Sequence, residues 1–407
     1  MRGMAFFLTA TGRIGRFAAS RPHTATLLPP PLLMALALSS STVLLGVTPQ
    51  WREIHALLVL AAAGLAVRGG GAVQDALRAG PLLALLVVPP VLSLAANGHA
   101  PATLAGLSVV AAYAFVGARW RSEAALRALL VTAAIASAAC ALYILGEAVA
   151  VKGPASYWKT RDLGFSPQLS HNHNYVGLLA LCAAVGSLGF RRRAAGYGMA
   201  VGALVLAVAV TSRGAALAIL VGLSVRLATE PGLAEALCRR RRLLLAAGMG
   251  LVALAIAFHG LVVDAASDML LLASERRGMN TGFSHRSDLW VIAWYHWEAH
   301  AWFGKGWGVD LFDPHNAVLE VAVRTGAVGI AGYVVFNVVC LRRTVAGFRS
   351  PDRFAAMAAL VTVASYTVYG IFESRAVSAG NPLSALFLIL AFAAASRPPD
   401  RVLQHAP

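Results

Sequence analysis

The chain is a succession of apolar stretches with short polar punctuation between them. Runs of about 16 to 25 mostly apolar residues recur from end to end, and about 20 is the length a helix needs to cross the hydrocarbon core. Twelve such stretches fall near 27–47, 53–67, 81–96, 101–117, 124–149, 175–190, 195–211, 214–229, 243–263, 316–341, 354–372 and 382–396. The pattern predicts an all-α, polytopic integral membrane protein of about twelve transmembrane helices. The spans group as 27–149, 175–263 and 316–396, separated by enlarged connections at 150–174 and 264–315 and flanked by tails at 1–26 and 397–407. The N-terminal stretch is too long and irregular for the n-region of a cleaved signal and reads as a tail. Composition agrees, because 13% of residues are charged, against about a quarter in an ordinary soluble domain.

Positively charged connections stay in the cytoplasm, so the placement of Lys and Arg gives the orientation. With the N-terminus inside, the inner segments hold 23 of the 34 Lys and Arg, including the Arg runs at 191–193 and 239–242. The outer connections hold ten, and Arg324 lies within a span. The bias predicts both tails in the cytoplasm and makes the net charge of +16 an orientation signal, not a nucleic-acid footprint. Against that rule, Lys152, Lys159, Arg161, Arg276, Arg277, Arg286 and Lys305 crowd into the two enlarged outer connections. Long loops in a compact architecture are commonly functional, and these two gather cations outside the membrane.

The cysteines exclude some chemistry. Cys140, Cys182 and Cys340 lie within spans and Cys238 beside the inner Arg run, so none is placed for an outer disulfide or a thiolate metal cluster. Asp310 and Asp313 have no obvious His partner, and the first outer connection offers no carboxylate pair. No metal and no cofactor is expected on that ligand supply.

Three places carry candidate chemistry. In SHRSDLWVIAWYHWEAHAWFG, Trp290, Trp294 and Trp297 share one helical face, as in a helix lying at the membrane interface. Ser284 or Ser287 could cap that helix and leave Arg286 beside free N–H groups, a setting that favours an anion. Arg213, in TSRGA, sits in a tight connection at the outer water–lipid boundary. There it either snorkels or grips a phosphate at two points. In DPHNAVLEVAVRTGAVG, His315 and Asn316 stand at the outer entrance of a span, where most such residues cap a helix or face water; Asn316 is placed either to orient the His315 imidazole or to cap the helix. Glu320 and Arg324 follow four residues apart, the order that favours a mutually neutralising pair. On an unbroken helix, at a rise of about 1.5 Å per residue, Arg324 would lie some 13 Å deeper than His315.

Taken together, Arg286, Trp290, WFGKGWG at 302–308 and PHNAVLEVAVRTGAVGI, with SHNHNYVGLLA at 170–180 and TSRGA at 211–215, resemble the bacterial O-antigen ligase and polymerase superfamily. The resemblance is specific over roughly 160–335 and is closest to the ligases that finish lipopolysaccharide. It implies a GT-C-like glycosyltransferase of the bacterial inner membrane with its active site facing the periplasm. The implied reaction moves an O-antigen glycan from undecaprenyl diphosphate to a sugar hydroxyl of lipid A–core. The family's arginines carry over to Arg213 and Arg286 and, more loosely, Arg161; its essential His carries over to His315. Asn316, Glu320 and Arg324 are expected in support, and His171 and His173 match less well.

The bare chemistry agrees with that implication. A diphosphate leaving group needs cations, which guanidinium groups supply without metal, and the acceptor hydroxyl needs a base such as neutral His. No outer carboxylate pair is placed for a retaining mechanism, so direct displacement with inversion is expected. Two rivals stay open. A polymerase shares the donor and differs in its acceptor. A transporter would need polar residues at the midplane of several spans, commonly with an internal repeat. Only the paired Arg324 reads as deep, and no repeat is visible.

Overall fold

A computed structural model describes residues 72–98, 101–120, 122–160, 173–230, 282–306, 313–348, 353–374 and 381–395, with isolated positions within 57–64 and 232–268. The expected spans 27–47, 53–67 and 243–263 lie wholly or mostly outside the described residues, as do both tails, Arg161, His171 and Cys238. Among the described residues all regular structure is helical. In chain order the helices are α1 Ala72–Asn97, α2 Pro101–Arg119, α3 Glu123–Lys152, α4 Pro154–Thr160, α5 His173–Gly186, α6 Arg193–Ala209, α7 Arg213–Thr229, α8 Gly282–Ala299, α9 Ala317–Gly347, α10 Arg353–Phe372 and α11 Pro382–Ala395. Helices occupy each of the other nine apolar stretches, while α4 and α8 belong to the enlarged connections.

Four helices, Gln74–Asn97 within α1 and the whole of α3, α9 and α10, are long and apolar enough to cross a membrane. Shorter apolar helices accompany them in α2, α5, α6 and α11. The bundle's exterior is apolar as well: Leu77, Leu142, Val201 and Val205 are all more than half exposed. In water such a surface would be an aggregation liability, and in lipid it is the ordinary one. The result is an all-helical architecture compatible with a membrane-embedded protein.

Small residues let the helices approach closely. A Cβ added at Gly117 of α2 would overlap the Ile389 carbonyl of α11. Gly186 of α5 and the neighbouring Gly189 similarly press on the α3 backbone at Leu130, Ala134 and Arg127. Without a hydrophobic drive between helices in lipid, such contacts supply the packing. The core proper centres on α11, whose residues are nearly all buried, with Phe387 stacked on Tyr366 at 4.1 Å between ring centroids.

Polar and charged residues collect where helix ends meet, at two ends of the bundle. At one end Arg119 meets Asp75 at 3.3 Å, and Arg127 lies over the Phe354 ring. Arg193 and Arg226 share Glu230 there, at 2.8 and 3.4 Å. This is the end that the basic bias assigns to the cytoplasm. At the other end stand Asn97, Asn174, Arg213, Arg286, His315 and Glu373.

Helix α9 departs from the expected straight span. It breaks at Gly326, whose φ of 66° and ψ of −162° suit glycine alone. The segment 301–306 lies in the break and satisfies its backbone: Lys305 N donates to Val323 O at 2.7 Å, and Gly306 N to Arg324 O at 3.2 Å. In return Ala327 N donates to Ala301 O at 2.7 Å and Val328 N to Trp302 O at 3.3 Å. Ser93 and Asn97 of α1 close the junction by donating to Arg324 O and Gly304 O. Before the break, Val321 folds back to within van der Waals reach of Gly329.

That break corrects the expected depth of Arg324. Ala317 packs on Gly370 and Gly347 on Ala356, so α9 runs from 317 to 347 while α10 covers only 370 to 356. Residues 317–325 therefore add little depth. Arg324 sits beside the outer turn of α1 that holds Ser93, not some 13 Å down a straight helix. Its expected ion pair is present, with Arg324 Nε 3.2 Å from Glu320 Oε1.

A candidate active site at one end of the helical bundle

The DPHN stretch folds for local reasons. Asp313 Oδ1 accepts from His315 N at 2.8 Å, a side-chain-to-backbone turn two residues on. His315 takes a positive φ of 49°, a conformation uncommon outside glycine but enriched for His, Asn and Asp. Asn316 then starts α9 as its N-cap, its Oδ1 accepting from Val318 N at 3.0 Å and Leu319 N at 3.1 Å. Of the two roles open to Asn316, capping is the one adopted. Its remaining groups tie α9 to the end of α10: the backbone N donates to Ser374 Oγ at 2.9 Å, and Nδ2 to Ile371 O at 3.2 Å.

Arg286 arrives from α8. That helix begins at Gly282, so Arg286 lies in its second turn, and Ser284 and Ser287 lie inside the helix rather than at the expected cap. Instead, the guanidinium turns to the C-terminal end of α10. Nη1 donates to Phe372 O, one of the carbonyls a helix end leaves without an internal partner, and Nη2 meets Glu373 Oε1 at 2.8 Å. Trp290, one turn further along α8, donates from Nε1 to Pro314 O at 3.0 Å, which fixes α8 against the DPHN turn. Trp294 and Trp297 pack edge to face at 4.7 Å, with Trp294 about half exposed.

Arg213 opens α7 after a tight turn in which Thr211 also has positive φ, 58°. The turn is pressed on α5, where a Cβ at Gly177 would overlap Ser212, and on α10, where Gly214 lies against Phe372. Gly214, next to Arg213, and the Arg286 guanidinium both contact Phe372, so the two arginines stand at the same end of α10. Partly buried cations gathered at one helix end make a setting that suits an anion.

Glu373 joins these groups. It is buried, and its second oxygen, Oε2, lies 3.3 Å from His315 Nδ1. One carboxylate thus contacts both Arg286 and His315, with Asp313 Oδ1 a further 3.7 Å from the same imidazole nitrogen. About a quarter of the His315 side chain remains exposed. Among the described residues, no group of three or more His, Cys, Asp or Glu is arranged to hold a metal ion.

The structure therefore brings Arg213, Arg286, His315 and Asn316 to one end of the bundle. Glu320 and Arg324 pair with each other beside the α9 break, near the outer turn of α1. His173 opens α5, whose next residue, Asn174, accepts from the Tyr369 hydroxyl of α10 at 3.2 Å. Two features escaped the sequence reading. Glu373 follows directly on the apolar stretch of α10, in a short connection that carried no motif; its one signal was an acid at an outer helix end. The interlock of 301–306 with the α9 break left only its glycines, Gly304, Gly306 and Gly326, as signs.

Compared with protein-family models and with curated proteins, the chain matches neither a family model nor a curated relative.

Proposed function

We propose that this chain is an O-antigen ligase. It transfers O-antigen polysaccharide from undecaprenyl diphosphate to a sugar hydroxyl of lipid A–core, at the periplasmic face of the bacterial inner membrane, in a GT-C-like fold of about twelve spans. In this reading Arg213 and Arg286 hold the diphosphate, with Arg161 joining them from the 150–174 connection. His315 takes the proton of the acceptor hydroxyl as its oxygen attacks the anomeric carbon. The glycan leaves the diphosphate with inversion, without a glycosyl-enzyme intermediate or a metal ion, because the arginines carry the charge that develops on the leaving group.

The observation that supports this reading is the convergence itself. Three residues matched to the family's motifs, from α7, α8 and the start of α9, meet at one end of an apolar bundle. A lipid-linked diphosphate and a lipid-anchored hydroxyl would both be presented at that depth.

The test uses purified protein in nanodiscs, supplied with lipid-linked O-antigen and lipid A–core. Wild type should produce capped lipopolysaccharide. His315→Ala should still bind the donor while transfer falls by about 10² to 10⁴, the usual worth of a general base. Near-normal turnover of that variant would remove His315 from the chemistry. Extension of one lipid-linked chain by another, with lipid A–core ignored, would reassign the protein as a polymerase.

A further inference from the structure

We propose that Glu373 is the positioning residue of this site: its carboxylate fixes the proton on Nδ1 of His315, leaving Nε2 bare to act as the base, and holds Arg286 at a set distance from it. The inference rests on the reading of His315 as the base.

An ionised carboxylate has only acceptors, so the group facing Glu373 Oε2 at 3.3 Å has to be a donor. In a neutral imidazole that places the single proton on Nδ1, and the other nitrogen keeps its lone pair. Asp313 Oδ1, 3.7 Å from the same nitrogen, favours the same tautomer. The second oxygen, Oε1, is engaged with Arg286 Nη2 at 2.8 Å, so the carboxylate cannot rotate away without giving up an ion pair. Arg286 is itself anchored on Phe372 O, one residue before Glu373 in the chain. Ser374, one residue after it, accepts from the backbone of Asn316, which directly follows His315. The tripeptide 372–374 is thus a single bracket that sets cation and base relative to each other, and Glu373 is its charged centre.

Glutamine at this position keeps the size but offers one acceptor and one donor where two acceptors are needed. Either Arg286 or His315 would then face an N–H. Aspartate keeps both acceptors on a shorter arm.

The experiment combines two readouts. Protein labelled with ¹⁵N-histidine, with His315 assigned by loss of its signals in His315→Ala, reports which ring nitrogen carries the proton. Wild type should show a bare Nε2, and Glu373→Gln should move population to the other tautomer. In the transfer assay Glu373→Gln should lower kcat on the order of 10²-fold or more, as expected for a base held in the wrong tautomer. The donor KM should stay level or fall, since Arg286 is released to the diphosphate. Glu373→Asp should recover part of kcat. A bare Nδ1 in wild type overturns the proposal even if no variant folds. So does a Gln variant whose loss lies wholly in donor KM, or one with unchanged kcat. If wild type transfers no glycan at all, the ligase reading fails, while the tautomer measurement still decides the role of Glu373.

Discussion

A guanidinium has five N–H donors in a rigid fork, and Arg286 commits one from each terminal nitrogen within the protein, to Phe372 O and Glu373. The remaining directions and the neighbouring Arg213 are what a diphosphate would meet. An ammonium at either position keeps the charge but loses the planar two-point contact. Arg213→Lys and Arg286→Lys should each lower transfer by about a hundred- to a thousandfold, the usual cost of removing a donor to developing charge. Wild-type rates for both, measured with the same donor and acceptor, would mean that the arginines serve only to anchor helix ends. Arg213, Arg286, His315 and Asn316 were legible as candidates because each sits in a short motif, although Arg286 lies in the second turn of α8 and not at the helix start expected for it. Glu373 was not. Its role depends on partners 58 and 87 residues away, and no local pattern distinguishes it from an acid that simply ends a helix.

Helix α9 shows how much an element can hide. Its apolar pattern reads as one long span, and the structure divides it at Gly326, because residues 301–306 supply the hydrogen bonds that a broken helix lacks. Non-helical backbone at such a place is tolerated when protein satisfies it. A Cβ at Gly326 would overlap the Trp302 backbone, and positive φ adds about 1 to 3 kcal/mol of strain for other residues. Gly326→Ala should therefore lower thermal stability in detergent and, by loosening α8 and the DPHN turn together, reduce transfer. The control is Gly146→Ala in α3, where a new Cβ meets nothing within 4 Å, and its stability should not fall. Equal melting temperatures for the two variants would show that the interlock carries no stability. The same segment brings Lys305 Nζ to 3.2 Å from His296 Nδ1 on α8. Burial first, then the charges of Lys305 and His300, pushes the His296 imidazole below its ordinary 6.5. The folded state thus disfavours the proton relative to the unfolded chain. This contribution is intact above about 6.5 and is lost as pH falls through the lower folded value. An NMR titration should find His296 below 6.5 in wild type and closer to it in Lys305→Gln; an unmoved midpoint would place the Lys305 charge elsewhere.

At the scale of the whole molecule, nine of the twelve expected apolar stretches coincide with described helices, and four of those helices are long and apolar enough to cross a membrane. Which helices touch was not legible, since apolar surfaces in lipid carry little pairing information and the contacts are set by small residues such as Gly117 and Gly186. Sidedness is the property on which the functional reading depends most. The Arg-rich end, with Arg193 and Arg226 on Glu230, has to face the cytoplasm for Arg286 and His315 to meet substrates on the other side. Cysteine labelling tests this directly. Cys140, Cys182 and Cys340 are buried, so with Cys238 replaced by serine the background should be silent to a membrane-impermeant maleimide. In intact spheroplasts Glu298→Cys, on exposed α8, should react, and Ala194→Cys, at the exposed start of α6, should react only after permeabilisation. The opposite pattern would turn the Arg213, Arg286 and His315 cluster toward the cytoplasm. The donor diphosphate and the acceptor hydroxyl would then have to be presented in the inner leaflet, and the periplasmic ligase reading would be lost even with the same residues side by side.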